Sequence, residues 1–161
     1  MSILEEQITE EKKGYETASW KKEWPDSKLV GFEYHAKTIP FSDYIKGINN
    51  EVQTIDFIID DSNIIKVSYM SNTKKIEGKH EFKILESRKE EMLERLANIV
   101  NSDSSHSSCF FDDTIRIYHF IFENGEKVSY CCPIGNGKEY ITKPMREYLN
   151  VHSLEEVGWM L

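Results

Sequence analysis

Along much of this chain apolar and polar residues alternate with a period of two, and one long stretch switches to the 3.6-residue period of a helix. From Lys28 to Lys37, Val30, Phe32, Tyr34 and Ala36 fall on one side and Leu29, Gly31, Glu33 and His35 on the other. Successive side chains of a strand point to opposite faces, so this pattern predicts a half-buried strand. Val52 to Asp60 and Ile64 to Met70 are apolar and β-branched around Asp61-Ser62-Asn63, which predicts a hairpin. From Ile76 to Ile84, Ile76, Gly78, His80, Phe82 and Ile84 face one way, and Glu77, Lys79, Glu81 and Lys83 face water.

The helical stretch comes next. Met92, Leu93, Leu96, Ile99 and Val100 recur at i, i+1, i+4, i+7 and i+8, one apolar stripe. Ser87 three residues ahead of Glu90 has the spacing of a capping box, so the main amphipathic helix is expected over 88–101. Asn101 to Ser108 is polar and serine-rich, the composition of an exposed loop.

Two further strands, Thr114 to Phe122 and Glu126 to Cys132, flank Asn124-Gly125. That dipeptide favours a two-residue hairpin turn, because both of its central positions need positive φ. Such a turn pairs Phe122 with Lys127 and Ile117 with Cys132. Ile115, Ile117, His119, Ile121, Val128, Tyr130 and Cys132 then share one face. Arg116, Tyr118, Phe120 and Phe122 share the other with Lys127, Ser129 and Cys131.

The ends carry weaker signals. Ser2 and Glu5 form a capping box for an N-terminal helix from Ile3, and Trp24-Pro25 closes that region. Trp20 and Trp24 read as aromatic plugs over the core. Ser42 caps a short turn, and Pro144 and Ser153-Leu154-Glu155-Glu156 start short C-terminal helical turns. With no repeat and no linker, residues 1–161 are expected to form a single α+β domain. Its mixed or antiparallel sheet has about six strands, joined by the main helix, the N-terminal helix and the C-terminal turns.

Charge narrows the partners. The net charge is −8, from 20 basic and 28 acidic residues, which opposes direct binding to nucleic acid or an anionic membrane and favours encounter with a basic protein. No apolar run approaches the roughly 18 residues of a membrane span. The N-terminus lacks the basic start and apolar stretch of a secretory signal. Cys109, Cys131 and Cys132 are odd in number and two are adjacent, which fits a reducing compartment, so a cytoplasmic location is expected.

Candidate chemistry is sparse. His106 and Cys109 have a ligand-like spacing, but adjacent Cys131 and Cys132 point to opposite strand faces and only one could join them. No nucleophile motif surrounds Cys109, and His80 and His119 lie on apolar strand faces as core histidines do. Asp60, Glu81 and Lys83 imitate the acidic, acidic-x-Lys pattern of metal-dependent nucleases, in which carboxylates hold a cation and a lysine supports the attacking water. Gly135-Asn136-Gly137-Lys138 lacks the spacing and the Ser or Thr of a P-loop and reads as a turn. No cofactor is expected.

The last hairpin stands apart because both its faces are apolar. Either a helix covers Tyr118, Phe120 and Phe122, or these rings form an exposed binding patch beside Asp112 and Asp113. The leading expectation is a non-enzymatic acidic protein-binding domain, an inhibitor or immunity-type partner of a basic protein such as a nuclease toxin or nucleic-acid-handling enzyme. Its partner-binding residues are Asp112, Asp113, Tyr118, Phe120 and Phe122. The alternative is a metal-dependent hydrolase using Asp60, Glu81 and Lys83.

Overall fold

The strand expected from Lys28 to Lys37 becomes β1 (Leu29–Thr38) and lies inside the sheet, hydrogen-bonded on both edges. The computed structural model describes residues 24–38, 52–101, 106–107, 114–131, 134–135 and 140–161. The N-terminal helix, Trp20, the turn at Ser42, Asp112, Asp113, Cys109, Cys132 and 136–138 lie outside the described residues.

The remaining elements follow in chain order: β2 (Gln53–Ile59), β3 (Ile64–Ser71), β4 (Ile76–Lys83), α1 (Glu86–Asn101), β5 (His106–Ser107), β6 (Thr114–Phe122), β7 (Lys127–Cys131), β8 (Ile134–Gly135), α2 (Thr142–Val151) and α3 (Glu155–Gly158). Six strands form one antiparallel sheet in the order β4-β3-β2-β1-β6-β7, and β5 pairs with β8 in a separate two-stranded ribbon. The architecture is α+β, as the sequence pattern indicates.

One face of the sheet is apolar and carries the core. β1 contributes Phe32, Tyr34 and Ala36, β2 contributes Ile55, Phe57 and Ile59, and β3 contributes Ile65 and Val67. β6 adds Tyr118, Phe120 and Phe122, and β7 adds Val128 and Tyr130. Leu93, Leu96, Ile99 and Val100 of α1 and Met145 and Leu149 of α2 join the same buried cluster, with the C-terminal Val157, Met160 and Leu161. The α1 stripe is the one its periodicity predicts. The helix begins two residues earlier than expected, with Lys89 N–H donating to the Leu85 carbonyl, so Ser87 sits inside the first turn instead of capping it.

Two hairpins close in the same way. The β2–β3 loop is Asp61-Ser62-Asn63 and the β6–β7 loop is Glu123-Asn124-Gly125, and in each the last residue has positive φ, 56° at Asn63 and 87° at Gly125. Gly125 N–H donates to the Phe122 carbonyl at 2.9 Å and Phe122 N–H to the Glu126 carbonyl at 3.0 Å, so the loop has three residues, a type I turn followed by a left-handed one. Asn124 does not need positive φ here. Its side chain instead accepts from Glu126 N–H at 2.9 Å.

This extra loop residue corrects the predicted register. Ile117 pairs with Cys131, not Cys132, and Ile121, not Phe122, pairs with Lys127. A slip of one residue moves every side chain of one strand to the opposite face relative to its neighbour. Tyr118 and Phe120 therefore lie opposite Tyr130 and Val128 on the core face. Ile117, His119 and Ile121 share the open face with Ser129 and Lys127.

Candidate functional site

The rings proposed from sequence as surface anchors are interior. Tyr118 and Phe120 are 0% exposed and Phe122 is 3% exposed, which corrects the expectation of an exposed patch. Phe120 meets Trp24, Phe32 and Tyr130 with centroids at 5.0, 5.2 and 6.0 Å, and Tyr118 meets Tyr34 at 5.2 Å. Trp24 acts as the expected plug, its indole N–H donating to the Tyr130 hydroxyl at 3.0 Å. The physical reason is the register. With the three-residue loop, the aromatic face of β6 and the apolar residues of β7 fall on one side, and that side faces the helices.

Asp60, just after β2, and Glu81 and Lys83, on β4, are separated by β3 and do not converge on an open metal position. Asp60 directly follows β2, and its carboxylate accepts from Ser62 N–H at 2.9 Å and from the Ser62 hydroxyl. Lys66 Nζ lies 3.2 Å from the same carboxylate, and Lys66 is the cross-strand partner of Glu81. Burial acts to raise the Asp60 carboxyl, but the Ser62 bonds and Lys66 outweigh it and hold the group below its ordinary range. A lysine here already supplies the positive charge that a metal would bring. Glu81 and Lys83 project from the solvent side of β4, which is exposed.

The open face of the sheet holds a polar row that sequence reasoning did not assemble. Ser68 on β3, Asp56 on β2, Glu33 and His35 on β1, His119 on β6 and Ser129 on β7 all alternate with core residues and so project from the face opposite the helices. Register explains the row: His35 pairs with Asp56, Asp56 with Ser68, Glu33 with His119, and His119 with Ser129. His35 Nδ1 donates to Asp56 at 2.5 Å, and the other Asp56 oxygen accepts from the Ser68 hydroxyl at 3.3 Å. His119 Nδ1 bonds the Ser129 hydroxyl at 2.6 Å, and the two imidazole centroids are 5.8 Å apart.

These surroundings push the two imidazoles in opposite directions. The Asp56 hydrogen bond raises His35 above its ordinary value despite opposing burial. Burial, then the nearby Lys127 and His35 charges, lower His119. His119 is thus a half-buried residue of the open face, not the core histidine its apolar strand neighbours suggested. His80 is also half-buried, its Nε2 3.0 Å from the Tyr69 hydroxyl, and it stacks on Tyr69 and Phe82.

A second feature lies where β1 begins, α1 starts and the β6–β7 loop turns. Lys28 Nζ bonds Glu90 at 3.2 Å, and Glu90, Glu86 and Glu123 together raise its pKa. Glu123 N–H donates to the Lys28 carbonyl at 2.8 Å and Asn124 N–H to the Ser27 hydroxyl at 3.1 Å, which ties the loop to the start of β1. Asp26 and Glu126, in these same segments, are exposed. Leu85, just before Glu86, is 73% exposed.

Among the described residues, no helix is long and apolar enough to cross a membrane. No family model matches the chain, and no curated protein matches it in sequence.

Proposed function

We propose that this chain is a non-enzymatic acidic protein-binding domain, an inhibitor or immunity-type partner of a basic protein such as a nuclease toxin or nucleic-acid-handling enzyme. The observation that carries the reading is the gathering of Glu86, Glu90 and Glu123 around one lysine, Lys28, in a chain of net charge −8. Among the described residues, three carboxylates from two separate segments act on this one lysine. Such a surface attracts a cationic partner over a Debye length and raises the rate of productive encounter. Leu85 replaces the buried aromatic rings as the apolar anchor, since contacts that exclude water supply most of the affinity once two charged surfaces meet.

The test is capture of a basic protein from the source lysate on immobilised chain at low salt, followed by kinetics with the purified partner. Raising the salt to about 1 M, where the screening length is about 3 Å, should abolish rapid association. Replacing Glu86, Glu90 and Glu123 together with lysine should lower the on-rate by roughly 10-fold or more while the circular dichroism stays native. Equal association by the reversed variant, or no capture above background at low salt, rules the reading out.

A further inference from the structure

The polar row on the open face carries an inference that is independent of the acidic end. We infer that Glu33, His35 and His119 form a binding site for a divalent transition-metal ion of the zinc class. Each offers one donor atom, and the three donors lie within 4.8 Å of one another. His35 Nε2 is 3.7 Å from a Glu33 carboxylate oxygen. Bonds of about 2.0–2.2 Å to a tetrahedral ion place neighbouring donors roughly 3.4 Å apart, so small side-chain rotations close the remaining gap.

The backbone makes this convergence durable. Glu33 and His35 are two residues apart on β1 and share a face, and His119 is the direct cross-strand partner of Glu33 on β6. Three donors therefore rise from two hydrogen-bonded strands inside the sheet, not from loops. All three are half-buried, so the site is partly shielded yet reachable from solvent.

The surrounding groups hold the imidazoles in a binding-competent form. A histidine that binds metal through one nitrogen commonly donates its other N–H to a carboxylate, hydroxyl or carbonyl, which fixes tautomer and ring orientation. His35 Nδ1 is committed to Asp56, which is itself held by Ser68, and His119 Nδ1 is committed to Ser129. Nε2 is the nitrogen left for a metal on both rings. A cation-binding role for two imidazoles and one carboxylate selects zinc, cobalt, nickel, copper or iron over magnesium and calcium, which prefer all-oxygen shells. Three protein donors leave one tetrahedral position for water or an exogenous ligand. Lys127 on β7 acts against the bound charge, and its exposed side chain can swing away.

The experiment uses the full chain, stripped of metal by chelation and dialysis. Calorimetric titration with zinc chloride should show one site, and zinc but not magnesium should raise the melting temperature, because a ligand bound only by the folded state stabilises it. Substitution with cobalt(II) should give the visible bands of a tetrahedral nitrogen and oxygen set, without the charge-transfer absorption of a thiolate. His119→Ala, His35→Ala and Glu33→Gln should each weaken zinc at least about 100-fold, and Asp56→Asn about 10–100-fold, as supporting partners do. Lys127→Ala should tighten binding, which a merely unfolded variant cannot do. Since these side chains lie off the core face, circular dichroism should stay native. Absence of any zinc-dependent rise in melting temperature overturns the inference. So does undiminished zinc affinity in the His35→Ala/His119→Ala variant, or a thiolate band with cobalt, since either places the metal on other residues.

Discussion

Phe120→Ala separates a ring that anchors the core from one that waits for a partner. Phe120 is fully buried and touches the rings of Trp24, Phe32 and Tyr130 from three different segments of the chain. Truncating a buried Phe to Ala removes its transfer free energy and leaves a cavity, which costs about 3–5 kcal/mol. The lower end applies if Trp24, only partly buried against the core, relaxes into the space. In a chain of this size, 1 kcal/mol moves the melting temperature by roughly 2–4 °C, so a fall of roughly 6–20 °C is expected. Urea titration followed by tryptophan fluorescence gives the loss directly, and an unchanged m-value shows that the unfolding unit is the same. An exposed ring would change stability by less than about 0.5 kcal/mol. A measured loss below 1 kcal/mol would therefore refute the hairpin register and return the aromatic face to the surface.

Three other outcomes follow from the same structure. At Gly78, directly opposite Tyr69 on β3, an added Cβ would stand 2.5 Å from the Tyr69 hydroxyl oxygen, so Gly78→Ala must displace that ring from His80. A loss of about 1–3 kcal/mol is expected, and a double-mutant cycle with Tyr69→Ala should show strong coupling; additive losses would mean that the ring and the glycine do not touch. Gly125→Ala meets open space but must hold φ near 87°, so its cost of about 1 kcal/mol is all backbone; a neutral substitution would mean the loop is not left-handed there. The Arg95 hydrogen bond, at 2.6 Å, holds the Glu147 carboxyl below its ordinary value of 4.5. That contribution is present above pH 4.5 and is lost as pH falls through the lower folded-state value. Both side chains are well solvated, so Glu147→Gln should cost no more than about 1 kcal/mol at neutral pH and should shallow the acid-side decline, as thermal melts across the acid range would show.

How much of this was legible depends on how local each signal is. β4 and α1 were readable because their periods are written in consecutive residues: Ile76 to Lys83 alternates without a break, and the Leu93, Leu96, Ile99 and Val100 stripe needs no partner to be recognised. The β6–β7 hairpin was readable as a hairpin but not in register. Asn124-Gly125 is compatible with a two-residue or a three-residue loop, and with apolar residues on both faces the strands offered no preference between them. Burial of Phe120 against Trp24 and Phe32 decides it, and those contacts join segments far apart in sequence.

The metal site was less legible still. Glu33 and His35 show on the polar side of β1, and a Glu-x-His pair on one strand face is a usable signal. His119 stood among isoleucines and looked like a core residue. By itself the sequence determined the two-faced strands, the amphipathic helix and the acidic balance, since each follows from neighbouring residues or from composition alone. Only the tertiary structure decided which hairpin face is interior and that His119 stands opposite Glu33. Strand pairing and register come from packing a whole face at once, and no single segment contains that information.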